Sequence, residues 1–271
     1  SNEYLMLQGG QFSKSRKHAV WLPSFLEKYD ADSLRYYLSI NMPETHDTDF
    51  RWDEFVDRVN NELIGTYGNF VHRVMTLTHR LVDSDSNPLS PYDHTDSHSK
   101  IIEDCRVKME SAISSMERQR FKEALRSIMG IAQIGNILLQ NAAPWKYISS
   151  EESEDRQESL SALAMAWRLC RTLSILTRPF MPFQSERLWS MLGETGDIDS
   201  ILWDNSLDTN CELHWNPENP QPLFSRLDLD EIIADEKSIV EDSNDNDPKH
   251  YPKDGAGYIE FDDFLKVEMK T

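Results

Sequence analysis

The chain has 271 residues and a mass of 31.5 kDa, 39% apolar and 28% charged, enough for one or two domains with a real core and against disorder. No run approaches the roughly 18 apolar residues of a membrane span, and the start, Ser1-Asn2-Glu3-Tyr4, lacks the basic-then-apolar order of a signal peptide. Against 28 basic residues stand 47 acidic ones, a net charge of −19, which by itself argues against a nucleic-acid partner because phosphate binding draws on Lys and Arg.

In chain order, Tyr4 to Leu7 predicts a strand, followed by a tight turn at Gly9-Gly10. The loop Gly9-Gly10-Gln11-Phe12-Ser13-Lys14-Ser15-Arg16 then gathers two cations and two hydroxyls. Such a loop can close over a polyphosphate, with lysine as a point charge and serines as hydrogen-bond donors; a solvated turn would have the same composition. Asp30 is placed to cap a short helix with Leu34, Tyr37 and Leu38 on one face. Val56, Val59, Leu63, Tyr67, Phe70, Val74, Leu77 and Leu81 recur at intervals of three and four, which predicts a single helix about 40 Å long. Asn69 and Arg73 stand one turn apart on it and point the same way. Residues 83–97 carry Asp, Ser, Asn and Pro and read as a loop; His94 and His98 are four apart, a spacing too loose to support a zinc site.

Ile102, Cys105, Met109, Ile113 and Met116 mark the next helix, and Phe121, Leu125, Ile128, Ala132, Gly135 and Leu139 another that Pro144 stops. That leaves Trp145 at a helix break, where an aromatic can project and stand partly exposed. Residues 150–158 read as an acidic linker; Leu160, Leu163, Trp167 and Cys170 mark a helix ending before Pro179, and Ser185 to Leu192 a short one closed by Gly193. Residues 203–222 read as an irregular arm. Residues 235–256 are polar, acidic and expected to be flexible, and Ile259 to Val267 regains apolar character. From Arg226 to Thr271 there are 14 acidic and 6 basic residues, so a nucleic-acid contact would be local and would work against the field of the whole chain. The three cysteines form no C-x-x-C, which supports neither a disulfide framework nor a cysteine zinc site and suits a reducing cytoplasm. No Walker, dinucleotide-binding, H-E-x-x-H or G-x-S-x-G sequence occurs. The pattern as a whole predicts a mainly α protein, an antiparallel helical bundle behind a short mixed α/β segment.

On residue chemistry alone Asn69 could be a polar helix position, Arg73 a surface ion pair and Trp145 a core plug; equally, an amide and a guanidinium can address base edges and an indole can stack on a base. A resemblance bears on that choice. Phe12-Ser13-Lys14-Ser15-Arg16, followed by Asp30-Ala31-Asp32-Ser33-Leu34-Arg35-Tyr36-Tyr37-Leu38, resembles the K-M-S-K-S signature loop and following helix of class I aminoacyl-tRNA synthetases. Gln11 and Phe12 replace the first two loop positions. The resemblance is closest to the methionyl-tRNA synthetase family. It continues through Pro43-Glu44-Thr45, Asp49-Phe50-Arg51-Trp52, Asn61-Glu62-Leu63, Gly68-Asn69-Phe70-Val71-His72-Arg73, Asn141-Ala142-Ala143-Pro144-Trp145-Lys146 and Pro222-Leu223-Phe224-Ser225-Arg226-Leu227.

The resemblance implies that Ser13, Lys14 and Ser15 form an ATP loop in which Lys14 is catalytic and contacts the phosphates, with ATP and Mg as cofactors of the parent enzyme. It implies that Asn69, Arg73 and Trp145 read the CAU anticodon of initiator and elongator tRNA(Met). The family's nucleotide-binding half, with its His-Ile-Gly-His element, and its zinc-bearing insertion have no counterpart here. The chain is therefore expected to be a C-terminal portion, inactive alone, free of its own metal, and partnered by the catalytic half of the same polypeptide in the cytoplasm. Its expected divisions are a stem-contact segment (1–50), a helical anticodon-binding domain (51–225), an acidic linker (226–258) and the truncated start of an OB-fold (259–271) that would support a homodimer in the parent. The alternatives are the anticodon domain of another class I synthetase, against which the Asn69, Arg73 and Trp145 set argues, and an acidic helical scaffold for protein partners. A scaffold need not gather Arg and Lys around Trp145.

Overall fold

The computed structural model describes residues 3–80, 98–147, 153–214 and 220–245, with Leu89. The chain divides into two units, Ser1–Leu229 and Asp230–Thr271.

The first unit opens with β1 (Leu5–Leu7), which pairs in parallel with β2 (Thr48–Phe50), Leu5 opposite Thr48 and Leu7 opposite Phe50. The turn after β1 is closed by two bonds, Leu7 N–H to the Gly10 carbonyl (2.8 Å) and Gly10 N–H to the Leu7 carbonyl (2.9 Å). Its central residues, Gln8 and Gly9, both have positive φ, +48° and +76°, the type I′ pattern that glycine adopts without steric cost. A helix that the sequence reading did not foresee, α1 (Leu22–Lys28), follows with a proline in its first turn. Next comes α2 (Ala31–Ile40), whose cap Asp30 accepts the Ser33 N–H at 2.8 Å as expected. An aromatic cluster locks these pieces together. Phe50 meets Trp52 at 4.8 Å and Tyr37 at 5.0 Å, both edge-on, and Phe25 and Phe55 complete it.

The apolar stripe from residue 52 does form one continuous helix. It has three parts: α3 (Trp52–Arg58), a π-helical stretch (Val59–Gly68) and α4 (Asn69–Arg80). Val59, Leu63, Tyr67, Phe70, Val74 and Leu77 are all buried; Leu81, the loop over 83–97 and His94 lie outside the described residues. Asn60, Asn61, Gly65 and Gly68 are weak helix formers, and side chains serve the loosened backbone: Thr66 Oγ1 donates to the Asn61 carbonyl at 3.3 Å.

Next, α5 (Ser99–Glu117) and α6 (Phe121–Ala142) fold back on each other through a short turn at Gln119. The carboxylate of Glu44 accepts the Lys122 N–H at 2.9 Å, seating the start of α6 on the first segment. Beyond the short α7 (Pro144–Tyr147) runs α8 (Ser153–Thr177). This corrects the acidic linker expected over 150–158: Ser153 onward is helical, with Glu154 and Asp155 in the first turn, where the helix dipole favours negative charge. Helix α9 (Pro182–Met191) closes the bundle. Two 3₁₀ turns, Ile198–Ser200 and Trp203–Asn205, lead into the irregular arm. The core of this mainly α unit is dominated by α8, where Trp167, Leu169, Leu173 and Leu176 are buried, each contributing roughly 1.5–3 kcal/mol relative to exposure.

The arm returns to the long helix. Leu223 and Phe224 are buried, Phe224 edge-on to Tyr67 at 6.1 Å, and the Asn60 amide brackets Leu227, donating to its carbonyl (2.9 Å) and accepting its N–H (3.0 Å). Helix α10 (Leu229–Asp245) occupies much of the segment read as a flexible acidic linker; Asp230 and Glu231 in its first turn suit a helix start for the same reason as in α8. The stretch Ile259 to Met269 lies outside the described residues. Among those residues no helix is long and apolar enough to cross a membrane.

Candidate nucleic-acid interface

Two residues one turn apart on α4, Asn69 and Arg73, and a third far along the chain, Trp145, lie where α4, α6 and α7 meet. Helix α6 ends at Ala143, held at φ +43° and ψ +50°, a left-handed conformation that costs a non-glycine residue roughly 1–2 kcal/mol. Pro144, buried, then restarts the helix, and the Lys146 N–H closes back on the Ala143 carbonyl at 2.9 Å. The bend turns Trp145 outward, 44% exposed. The Arg73 guanidinium lies over the indole, 4.9 Å from the ring centroid. Arg73 thus lies over one face of a ring that remains substantially exposed. Lys146, next in sequence to Trp145, is exposed as well, so a second basic side chain stands near the indole in an acidic chain.

Asn69 begins α4 one turn before Arg73 and is exposed. Its backbone N–H reaches the Ile64 carbonyl five residues back, a π-helical bond at the join. Its side-chain Nδ2 donates to Asn136 Oδ1 at 3.3 Å, while Asn136 Nδ2 donates to the Thr66 carbonyl (2.9 Å) and the Ala132 carbonyl (3.1 Å). Sequence reasoning missed Asn136. The only signal available was its place on the solvent edge of α6 directly after Gly135. That glycine has a steric reason: a Cβ there would lie 2.3 Å from Cζ of the buried Phe70, so α6 and α4 approach closely where Asn136 must reach Asn69.

The signature loop is built locally. Ser13 and His18 exchange backbone bonds (2.8 and 2.9 Å), and the His18 ring packs back, Nε2 2.6 Å from the Leu7 carbonyl. Between them Ser13 Oγ lies 3.3 Å from Ser15 Oγ and accepts the Arg16 N–H at 3.3 Å. Lys14, Ser15 and Arg16 are exposed, as is Gln11. The loop does not meet the Asn69, Arg73 and Trp145 cluster; it belongs to the β1–α2 segment. That segment is tied to the bundle by polar groups, one of them buried. Asp32, fully buried, accepts the Gln184 N–H at 2.7 Å, and Arg35 donates to the carbonyls of Phe180 and Pro179, both at 2.9 Å. Burial pushes the Asp32 carboxyl up to about 6, backbone bonds and Arg35 opposing. Among the described residues no group of three or more His, Cys, Asp or Glu side chains could hold a metal.

Residues 91–230 match the family described as the anticodon binding domain of methionyl tRNA ligase, and residues 1–75 match class I tRNA synthetases (M). Among curated relatives, the chain is 33% identical to a methionine–tRNA ligase of Porphyromonas gingivalis over 100% of its own length and 39% of the relative's. It is 37% identical to that of Aeropyrum pernix over 90% of its own length and 41% of the relative's. A crystal structure of Mycobacterium tuberculosis methionyl-tRNA synthetase bound by methionyl-adenylate shares the fold, with a TM-score of 0.71 at 20% identity over 82% of this chain and 43% of that one. The chain thus spans about two fifths of the length of the curated relatives it matches. It belongs to the methionyl-tRNA ligase family of class I aminoacyl-tRNA synthetases, with that family's anticodon-binding domain.

Proposed function

We propose that this member of the methionyl-tRNA ligase family is the part that reads the CAU anticodon of tRNA(Met), through Asn69, Arg73 and Trp145. The observation that carries the reading is the convergence of an exposed indole, a guanidinium stacked on it and an amide one turn away. The indole supplies a stacking surface worth roughly 1–3 kcal/mol per base. The guanidinium and amide supply donors and acceptors for base edges, which single-stranded loops expose. In the parent enzyme, charging of initiator and elongator tRNA(Met) through methionyl-adenylate would follow in the cytoplasm, with a catalytic half and a C-terminal OB-fold, the latter dimerising, supplied by sequence beyond this chain.

The signature loop fits a polyphosphate. Lys14 is exposed, and the Ser13 and Ser15 hydroxyls are held side by side. ATP with its Mg would supply the activated phosphoanhydride; Lys14 would place positive charge at the phosphates, and Ser13 and Ser15 would donate to phosphate oxygens. Gln11 can donate to a phosphate but carries no charge, so this loop would rely on Lys14 more heavily than one with a second lysine. The decisive experiment titrates the chain with an anticodon stem-loop bearing CAU and with three others, each changed at one anticodon base. We expect CAU to bind tightest, with each change costing roughly 1–3 kcal/mol; equal binding of all four would leave the cluster without its assigned role and favour the scaffold reading.

A further inference from the structure

An amide side chain can face a base with its oxygen or with its nitrogen, and the two orientations select different bases. We propose that Asn136 fixes this choice: it is a positioning residue that turns the Asn69 carbonyl outward and makes Asn69 and Arg73 selective for cytosine over uracil. The inference rests on the reading of Asn69 and Arg73 as base contacts.

The polarity is set by the backbone. A carbonyl oxygen accepts hydrogen bonds and never donates them. Asn136 meets two of them, Thr66 O at 2.9 Å and Ala132 O at 3.1 Å, so the end of its amide that faces them is Nδ2. Its Oδ1 is thereby turned to Asn69, and since that oxygen also only accepts, the end of Asn69 that meets it at 3.3 Å is Nδ2. Asn69 is left with its Oδ1 directed away from α6. Reversing the chain would set the Asn136 oxygen against two carbonyls in a part-buried place and forfeit both bonds. Thr66 lies in the π-helical stretch, so the irregular turn and the reading amide are fastened to one side chain. Gly135, in contact with Phe70, is what allows that side chain so close.

The consequence is chemical. Cytosine shows an amino donor beside two acceptors on its Watson–Crick edge; uracil shows an oxygen where cytosine has the amino group. An outward carbonyl flanked by a guanidinium offers one acceptor and several donors, which complements cytosine and opposes oxygen to oxygen against uracil. In CAU the cytosine is the first base, so the effect falls on that position alone.

The test measures binding of the chain to stem-loops with CAU and UAU anticodons, and to stem-loops changed at the second and third bases. The variants are Asn136→Ala and Asn136→Ser; the serine can still donate to the Ala132 carbonyl one turn back but is too short to hold Asn69. With the fold confirmed by a thermal melt, we expect either variant to cut the preference for CAU over UAU about tenfold, the scale of one good base contact. Preferences at the other two positions should be unchanged, and no further loss should follow in an Asn69→Ala background. An undiminished preference for CAU over UAU in a folded Asn136→Ser, or equal losses at all three positions, overturns the inference. If Asn69→Ala alone leaves the first-position preference intact, the underlying reading fails and the inference with it.

Discussion

Between Ser13 and His18 of the signature loop the polar contacts join residues two, three and eleven apart, and the long-range tie is at the turn before them, where the Gly9 N–H donates to the Asp49 carboxylate 40 residues on. In the Asn69, Arg73 and Trp145 cluster, Asn69 and Asn136 are 67 apart, and Asn136 and Thr66 are 70 apart. A segment bonded mostly within itself can move with little disturbance of the core, as the proposed ATP loop would need to. A site assembled from two packed helices is fixed when the chain folds, so the ordering cost is met before the ligand arrives. The contrast predicts that loop substitutions change chemistry without changing stability, whereas the cluster's supports change both.

The largest effect should come from the loop. In the complete enzyme, Lys14→Ala is expected to slow methionine-dependent ATP–pyrophosphate exchange by roughly 10²–10³, because a donor aimed at charge developing in the transition state is worth about 2.7–4 kcal/mol. The melting temperature and the affinity for tRNA should stay close to those of the wild type. Matching losses of adenylation and tRNA binding would erase the contrast.

At the cluster, Trp145→Ala should weaken stem-loop binding by roughly 1–3 kcal/mol and leave the bundle folded, as its 44% exposure allows; a melt and a titration on one sample decide it. Gly135→Ala is the converse. With the new Cβ only 2.3 Å from the Phe70 ring, overpacking should cost about 1–3 kcal/mol of stability, and displacement of Asn136 should lower anticodon preference as well. An unshifted melt would mean that the two helices part easily and that the cluster is no more rigid than the loop.

A smaller effect tests the joint between the two regions. Asp32 is fully buried, its Oδ1 has no hydrogen-bond partner among the described residues, and burial raises its carboxyl from 3.8 to about 6. The folded state therefore holds a proton that the unfolded state has released between about pH 4 and 6, and stability falls as pH rises through that window. Asp32→Asn, which can still accept the Gln184 N–H, should flatten that dependence and gain roughly 1–2 kcal/mol at pH 7.5, read from melts across the range.

Much of this was legible beforehand. The intervals of three and four from Val59 to Leu77 gave the long helix, and Asp30 gave the start of α2, because both rest on periodicity and capping within one segment. The π-helical stretch was not legible, since its buried residues keep the same intervals while the backbone bonds shift by one. Helix α8 was read as starting too late because its acidic first turn looks like a linker in composition, although the helix dipole makes it a helix start. Strand β2 is three residues long, too short to show alternation. At the candidate site the sequence singled out Asn69, Arg73 and Trp145. It gave no sign that Arg73 would lie over Trp145 or that Asn136 would set the Asn69 amide, since those contacts cross 72 and 67 residues.

The left-handed backbone at Ala143 has a consequence for anyone engineering this protein. A glycine there would relieve the strain of roughly 1–2 kcal/mol and, after its own entropy cost, gain up to about 1 kcal/mol net, and a selection for heat tolerance would find it readily. The same replacement would free Pro144 to Tyr147 to swing, so the indole would no longer be delivered at one angle. A library sorted only by survival at high temperature should therefore enrich Ala143→Gly and, with it, chains that bind CAU and near-CAU loops more evenly, a trade of fidelity for robustness at a residue that touches no base.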